Sequence, residues 1–378
     1  NKQHNILIIA GEASGDIHAS NLIREVKSLN PCIHFKGMGG KRMQEAGAEI
    51  IYNIDELGVI GLFEVLKKVP MLKKIQNHFL KIINEEKPDL VVLVDYPGFN
   101  LRLAEKLKPL EVPVLYYILP QVWAWGRGRI KKMAELTDKM ASIIPFEPEL
   151  FNAAGGDCEY IGHPLIDKLE NFIPNKELTA EKKEKDKMNI IILPGSRKNE
   201  INLIFPRMVK TAAVLSKNFK LKPIKFFISI ADTIPSEIVQ KYLRGVEFEY
   251  EIFHEHIYDY LSFADYAIVT SGTATLETGL FRVPMVILYK TSWLTYFFAK
   301  FLVKVENIGL INIIAGKRLA MEYIQKLNPS EISDFITEQL NNPGTLNVIR
   351  NELKIVREKL GFPGASGNGA KLLIKMLE

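Results

Sequence analysis

Residues 5–16 read NILIIAGEASGD and residues 189–197 read NIIILPGSR; in both, an unbroken aliphatic run stops at a glycine-bearing turn. A strand without polar alternation is apolar on both faces, so each run predicts an interior strand of a parallel sheet covered by helices. More runs of this kind follow. DLVVLVD (89–95), VPVLYYIL (112–119) and ASIIPF (141–146) come after the first, and IKFFIS (224–229), DYAIVTSG (265–272) and PMVILY (284–289) after the second. Longer amphipathic segments separate them, which predicts an α/β fold of two Rossmann-like, doubly wound domains facing a cleft.

The 378 residues, 47% of them hydrophobic, are too many for one ordinary core and fit two such domains. Between the two sets of strands lies NFIPNKELTAEKKEKDKM (171–188), dense in lysine and glutamate and without apolar period, which reads as an exposed linker. The expected division is a domain over 1–170, the linker 171–188, a domain over 189–342, and two C-terminal helices within 343–378, parted by the turn FPGASGNG.

A formal net charge of +5, with charged residues at 25%, lacks the single-sign bias of a nucleic-acid binder and suits an anionic ligand or an acidic membrane surface. Cys32 and Cys158 stand in no disulfide or metal-ligand spacing, which is compatible with a reduced cytoplasmic setting. The N-terminus has neither the apolar core nor the cleavage site of a signal peptide, and no stretch offers the roughly 20 uninterrupted apolar residues of a spanning helix. A cytoplasmic protein is expected, with attachment to a membrane surface left open.

Ligands of doubly wound sheets bind beyond the carboxyl ends of the strands, so the chemistry is sought there. The first strand ends in Gly11-Glu12-Ala13-Ser14-Gly15-Asp16, a turn onto a helix N-terminus that could present N–H groups to an anion. Against this, Glu12 and Asp16 would oppose a phosphate, and Ser14 or Asp16 could simply cap the helix. The dinucleotide fingerprint GxGxxG is absent. Asp95, closing LVVLVD, is the best candidate for a general base acting on a sugar hydroxyl, with a helix cap as its alternative. Trp123 and Trp125 in LPQVWAWGRGR (119–129) could pack on a sugar ring or an acyl chain, or serve as buried anchors. His163 in IGHP is a further cleft candidate, with a hydrogen-bonded structural role as its alternative.

In the second half, Gly195, Ser196 and Arg197 form a turn that could deliver backbone donors and one guanidinium to a diphosphate. Ser271, Gly272 and Thr273 close DYAIVT in the same way, with Glu277 about one helical turn further on, where a carboxylate could accept hydrogen bonds from a ribose. Together the two turns point to a nucleotide sugar. No DxD-type carboxylate pair and no His/Cys/Asp cluster of ligand spacing accompanies them, so catalysis without a metal or other cofactor is expected. Two amphipathic stretches, LFEVLKKVPMLKKI (62–75) and SWLTYFFAKFLVKV (292–305), combine large apolar residues with lysines, as in helices at an anionic lipid interface or in helices packed on a sheet.

GEASGD, GGKRM, DYPGFN, LPQVWAW, PFE, IGHPL, PGSR, SGTATLE and NIIAG, in this order over residues 11–316, resemble the lipid-A-disaccharide synthase family. The resemblance implies a GT-B fold with an acceptor domain first, a UDP-binding domain second, and terminal helices that return to the first. It implies transfer of 2,3-diacylglucosamine from its UDP conjugate to the 6-hydroxyl of 2,3-diacylglucosamine 1-phosphate, with Asp95 as base and Arg197 stabilising the leaving group. Asn312 of NIIAG joins the functional set on the same ground. Both substrates are lipids, which gives the amphipathic stretches a reason at the inner-membrane surface, and the family suggests a homodimer. The sequence departs from the family pattern at GRGRIKK (126–132), where an arginine is expected directly after the second tryptophan, and at Ile311, where a proline commonly precedes the asparagine. The competing readings are another GT-B enzyme acting on UDP-N-acetylglucosamine, an epimerase or a peptidoglycan glycosyltransferase, and a non-catalytic nucleotide-sugar binding protein.

Overall fold

The computed structural model describes residues 3–57, 62–126, 128–232, 234–292 and 307–378. The chain divides into two compact units, one of Asn1–Glu170 with Gly361–Glu378 and one of Asn171–Leu360.

The first unit is built on β1 (His4–Ala10), β2 (Ile33–Gly39), β3 (Glu49–Asn53), β4 (Leu90–Val94), β5 (Val114–Tyr117), β6 (Lys139–Ser142) and β7 (Cys158–Tyr160). All seven pair in parallel, in the order β3-β2-β1-β4-β5-β6-β7. Ile6, Ile8, Leu90 and Val92 face one helical layer, and Leu7, Ile9, Val91 and Leu93 the other. That double burial is the reason the runs show no polar alternation. The strand order reverses between β1 and β4, and Ala10 pairs with Val94, so the loops after both strands leave the sheet side by side.

The second unit repeats the scheme with β8 (Met188–Leu193), β9 (Ile224–Ser229), β10 (Glu249–Phe253), β11 (Tyr266–Thr270), β12 (Met285–Tyr289) and β13 (Met321–Ile324), in the order β10-β9-β8-β11-β12-β13. Its reversal falls between β8 and β11, where Leu193 pairs with Val269.

Three expectations need correction. The stretch 171–188 is exposed, yet it is packed on the second unit: Lys176–Lys182 is a helix capped by Asn175, whose own N–H donates to the buried Asp259 carboxylate at 2.6 Å. Phe172 sets its ring edge-on against Tyr258 and Phe281. The two C-terminal helices do not travel together. Pro343–Lys359 belongs to the second unit, where its Leu353 reaches Gly279, and only Gly361–Glu378 returns to the first, with Ala365–Leu377 packed along Ala13–Leu29. The FPGASGNG turn is also shorter than its glycines suggested. The last helix already begins at Ala365 and includes Gly369, because a Cβ there would meet the Tyr117 ring at 2.7 Å.

Candidate functional site

At the reversal in the first unit, the chain leaves β4 through two consecutive left-handed residues, Asp95 (φ 44°) and Tyr96 (φ 46°), and leaves β5 through a third, Ile118 (φ 60°). Such backbone costs on the order of 1–3 kcal/mol per residue and persists where the surroundings over-determine it. Here the surroundings are hydrogen bonds. The Asp95 N–H donates to the carbonyls of Tyr117 and Ile118, both at 3.2 Å, while the Asp95 carbonyl accepts from Asn100 Nδ2 at 2.8 Å and from the Tyr116 hydroxyl at 2.6 Å. The Tyr96 ring stacks on Phe99 and occupies the space a side chain on Gly11 would need, 2.1 Å from a Cβ built there. Burial pushes the Asp95 carboxyl up to about 6, the Glu12 charge adds to the shift, and a backbone hydrogen bond from Tyr96 opposes it. A carboxylate so tuned is a competent base near neutral pH.

A second carboxyl shares this electrostatic neighbourhood. Glu147 is fully buried and accepts from Trp123 Nε1 at 2.9 Å and from Ser142 Oγ at 2.5 Å. Burial pushes it up to about 7; its hydrogen bonds pull the other way, and the Asp95 charge contributes in the raising direction. Trp123 is thereby the buried anchor, its nitrogen committed to Glu147 and its ring edge-on to Phe146, and it presents no free face to a sugar. The Trp125 side chain lies outside the described residues.

Asp16 is likewise committed. It is 5% exposed and accepts from the N–H groups of Gly40 (2.7 Å), Met43 (3.1 Å) and Arg42 (3.2 Å), so it fastens the loop after β2 and caps Lys41–Glu45. Gly15 lets its helix approach β1, with a Cβ there only 3.3 Å from the Ala10 methyl. Glu12 and Ser14 of the same turn are exposed. His163 is buried, its Nδ1 accepts the Leu165 N–H at 3.2 Å, and burial together with the neighbouring His18 lowers its pKa to about 4, which keeps it neutral.

At the reversal in the second unit lies a cavity of about 360 Å³, a size suited to a small-molecule ligand. Gly195, Ser196, Arg197, Ser271, Gly272, Thr273 and Glu277 all line it. Gly195 has φ 99°, and a Cβ there would come 2.5 Å from the Glu200 carboxylate; Gly272 has φ 151°. Both turns thus require glycine and bring backbone close to the cavity. They open into the helices Lys198–Asn218 and Thr273–Leu280, whose first turns border the same space and favour an anion. The Arg197 side chain is 81% exposed and rests on Glu200 at 3.3 Å. Glu277 accepts from the Tyr258 hydroxyl at 2.8 Å, which orients the carboxylate, and Ser271 Oγ donates to the Ile308 carbonyl at 3.1 Å.

Asn312 does not line this cavity. Its amide is fully used, donating to the Ala320 carbonyl and to Glu322 (2.8 Å each) and accepting from the N–H groups of Leu319 (2.8 Å) and Ala320 (2.9 Å). Glu322 in turn accepts from the N–H groups of Ile308 and Gly309, so the pair locks the segment that Ser271 touches. Ile311 fills the space above Gly279, 2.4 Å from a Cβ built there.

Sequence reading missed Glu147, Asn100, Tyr116, Glu200 and Tyr258. PFE (145–147) and DYPGFN (95–100) stood out as motifs, but a hydrogen bond between residues 24 apart leaves no local spacing to read. Of the lysine-rich stretches, the side chains of Leu62, Phe63, Leu66, Lys67 and Lys68, and all of 293–306, lie outside the described residues. Among the described residues no helix is long and apolar enough to cross a membrane.

The protein-family model described as lipid-A-disaccharide synthetase matches residues 6–354. The lipid-A-disaccharide synthase of Syntrophus aciditrophicus is 38% identical over 380 residues, covering 99% of this chain and 98% of its own, and that of Trichlorobacter lovleyi is 39% identical over 375 residues, covering 99% and 97%. Among solved structures, the glycotransferase of kitacinnamycin superposes with a TM-score of 0.64 at 13% identity, covering both chains in full. The UDP-GlcNAc 2-epimerase of Neisseria meningitidis, bound to UDP-GlcNAc, superposes with a TM-score of 0.59 at 14% identity, covering 99% of each chain. The structures establish an α/β, GT-B type of fold; the sequence relatives, which span this chain almost end to end, establish that it belongs to the lipid-A-disaccharide synthase family.

Proposed function

We propose that the protein transfers 2,3-diacylglucosamine from its UDP conjugate to the 6-hydroxyl of 2,3-diacylglucosamine 1-phosphate, giving the β-1,6-linked lipid A disaccharide 1-phosphate and UDP. Membership of a glycosyltransferase family over nearly the whole chain supports the activity. Going from an α-linked donor to a β-linked product takes one in-line displacement, with a base behind the attacking oxygen and stabilisation of the departing diphosphate.

Asp95 is the observation that carries the assignment of roles: a strand-end carboxylate on over-determined backbone, pushed up to about 6. In this reading Asp95 takes the proton of the 6-hydroxyl as the oxygen attacks the anomeric carbon. The bond from that carbon to the diphosphate oxygen breaks, and the electron pair leaves with UDP. Arg197 and the N–H groups of the Gly195 and Gly272 turns receive the growing charge, while Glu277 holds the ribose. Glu12 and Ser14 contact substrate from the exposed turn after β1. Gly15, Asp16, Trp123, His163 and Asn312 act one layer back, holding the loops that carry these groups.

The test is mass spectrometry after incubation with UDP-2,3-diacylglucosamine and its 1-phosphate acceptor. A disaccharide 1-phosphate mass with stoichiometric UDP is expected; UDP without a disaccharide, or epimerisation of UDP-N-acetylglucosamine, would sink the reading.

The same reading puts the protein on the cytoplasmic face of the inner membrane as a peripheral enzyme, since both substrates are drawn from a bilayer, and the family resemblance adds a homodimer. Lys67, Lys68, Lys73 and Lys74 would contribute about 1 kcal/mol each near anionic headgroups. Sedimentation with anionic vesicles that weakens as salt rises is expected, and a folded protein that never sediments would remove this part.

A further inference from the structure

The helices Leu62–Glu86 and Pro97–Leu107 enclose a groove of about 290 Å³ that takes no part in the catalytic roles assigned above, although one of its residues, Lys73, is among the lysines set against headgroups. It is lined from one side by residues 69, 72, 73 and 76 and from the other by residues 98, 99, 102, 105 and 106, spacings that place each set on one helical face. The two faces bring together unlike chemistry. Val69, Leu72 and Phe99 form an apolar wall, and Lys73, Arg102 and Lys106 supply three cations. Arg102 and Lys73 are exposed and make no hydrogen bond or ion pair among the described residues. Lys106 is tethered only loosely, to the side-chain oxygens of Gln76 and Asn77 at 3.4 Å each. The acid in the groove, Glu105, is already paired with Lys132. Gln76 is 5% exposed and donates to the Phe99 carbonyl at 3.1 Å, which fixes the floor between the two helices.

We infer that this groove is the subsite for the phosphate end of an acylated sugar phosphate, with Lys73, Arg102 and Lys106 taking the phosphate and Val69, Leu72 and Phe99 bordering the first part of an acyl chain. The inference rests on the proposed reaction and adds where its acceptor lies. The helix that carries Arg102 starts directly after Asp95 and Tyr96, and five residues from Pro97 to Arg102 advance about 7.5 Å along its axis. That is the scale of one hexose with its substituents, so a sugar whose 6-hydroxyl meets Asp95 can extend its anomeric phosphate toward Arg102. A phosphate monoester bears close to two charges at neutral pH and is matched by cations on two different elements. Bilayer headgroups are the other source of phosphate, and the experiment separates the two.

The measurement is steady-state kinetics in neutral detergent micelles, with acceptor either carrying the 1-phosphate or lacking it, for wild type, Arg102→Ala, Arg102→Lys and Lys106→Ala. For Arg102→Ala and Lys106→Ala, KM for the phosphorylated acceptor should rise about tenfold or more, KM for the UDP donor should stay unchanged, and Arg102→Lys should recover part of the loss. On the acceptor without phosphate, the variants should match wild type. Equal losses on both acceptors, no loss on either, or a loss seen only on anionic vesicles and not in micelles would each overturn the subsite. Circular dichroism and thermal unfolding identify a variant that has lost its fold, in which case Lys73→Ala, on the other helix, takes its place under the same criteria. Wild type that makes no disaccharide from either acceptor would instead refute the proposed reaction itself.

Discussion

Where β1 and β4 part in the first unit, the loops carry carboxylates, Glu12 on extended backbone after β1 and Asp95 after β4, where the chain is forced through two left-handed residues that are not glycine. Where β8 and β11 part in the second, the loops carry glycines at φ 99° and 151°, hydroxyls and one guanidinium. The topology is the same and the use of the turn is opposite. In the first, a strained residue keeps its side chain so that a base can be aimed. In the second, the side chain is given up so that backbone donors can come close to an anion. A doubly wound sheet supplies the place, and the residue at the turn decides whether side chain or main chain acts there.

The contrast breaks most sharply at Asp95. Asp95→Asn keeps the hydrogen bonds to its backbone, so donor binding should survive while kcat falls by roughly 10²–10⁴-fold. Single-turnover rates together with UDP-sugar binding check this, and a folded variant with near-normal turnover removes Asp95 as the base. With wild type, kcat/KM should fall as pH drops through about 6, where the carboxylate takes up its proton.

On the other side, Arg197→Ala should lower kcat by roughly 10²-fold, since charge grows on the diphosphate only as the bond breaks. Glu277→Ala should act mainly on affinity, weakening UDP binding by roughly tenfold with a smaller change in kcat, because ribose contacts are similar before and during reaction. Titration calorimetry with UDP and steady-state kinetics on both variants would expose a reversed pattern, which would mean the two roles are interchanged.

A smaller effect concerns stability. The Asp95 carboxyl titrates higher in the folded protein than in the unfolded chain, so its protonation favours the fold, and that contribution is lost as pH rises from about 4 to about 6. Asp95→Asn, which never ionises, should therefore be more stable at pH 7 by about 1–3 kcal/mol, and equal to wild type near pH 3. Denaturant unfolding at the two pH values tests the sign. Least of all should change on chelation: with the diphosphate charge assigned to Arg197 and main-chain donors, EDTA should leave the rate within experimental scatter, and a loss restored by Mg²⁺ would show the assignment incomplete.

The two sheets could be read from sequence because burial on both faces writes itself directly into unbroken runs such as LVVLV and NIIIL. The turns could be found because they stand at the ends of those runs. What each polar residue does there could not be found in the same way. Asp16 and Asn312 have the look of ligand-binding residues, yet both carry a full set of bonds elsewhere, Asp16 to main chain 24 to 27 positions away and Asn312 to main chain 7 or 8 positions away and to the Glu322 carboxylate. The sequence around Trp123 allows a platform or a buried anchor, and only the Glu147 carboxylate that holds its nitrogen decides for the anchor. In each case the competing partner lies on another element, and a pattern confined to one segment carries no record of it. The left-handed backbone at Asp95 and Tyr96 was equally hidden, because neither residue type requires it.

The contact between Gly11 and Tyr96 has a genetic consequence. Two motifs 85 positions apart share one volume, so position 11 cannot take a side chain while position 96 keeps its ring: the ring stands where the first side-chain carbon at position 11 would go, and Phe99 backs the ring against retreat. Gly11→Ala should behave as a loss-of-function allele, and selection for revertants should return second changes at position 96 to residues smaller than tyrosine, with their crop reading out how much of the enzyme's activity depends on that ring.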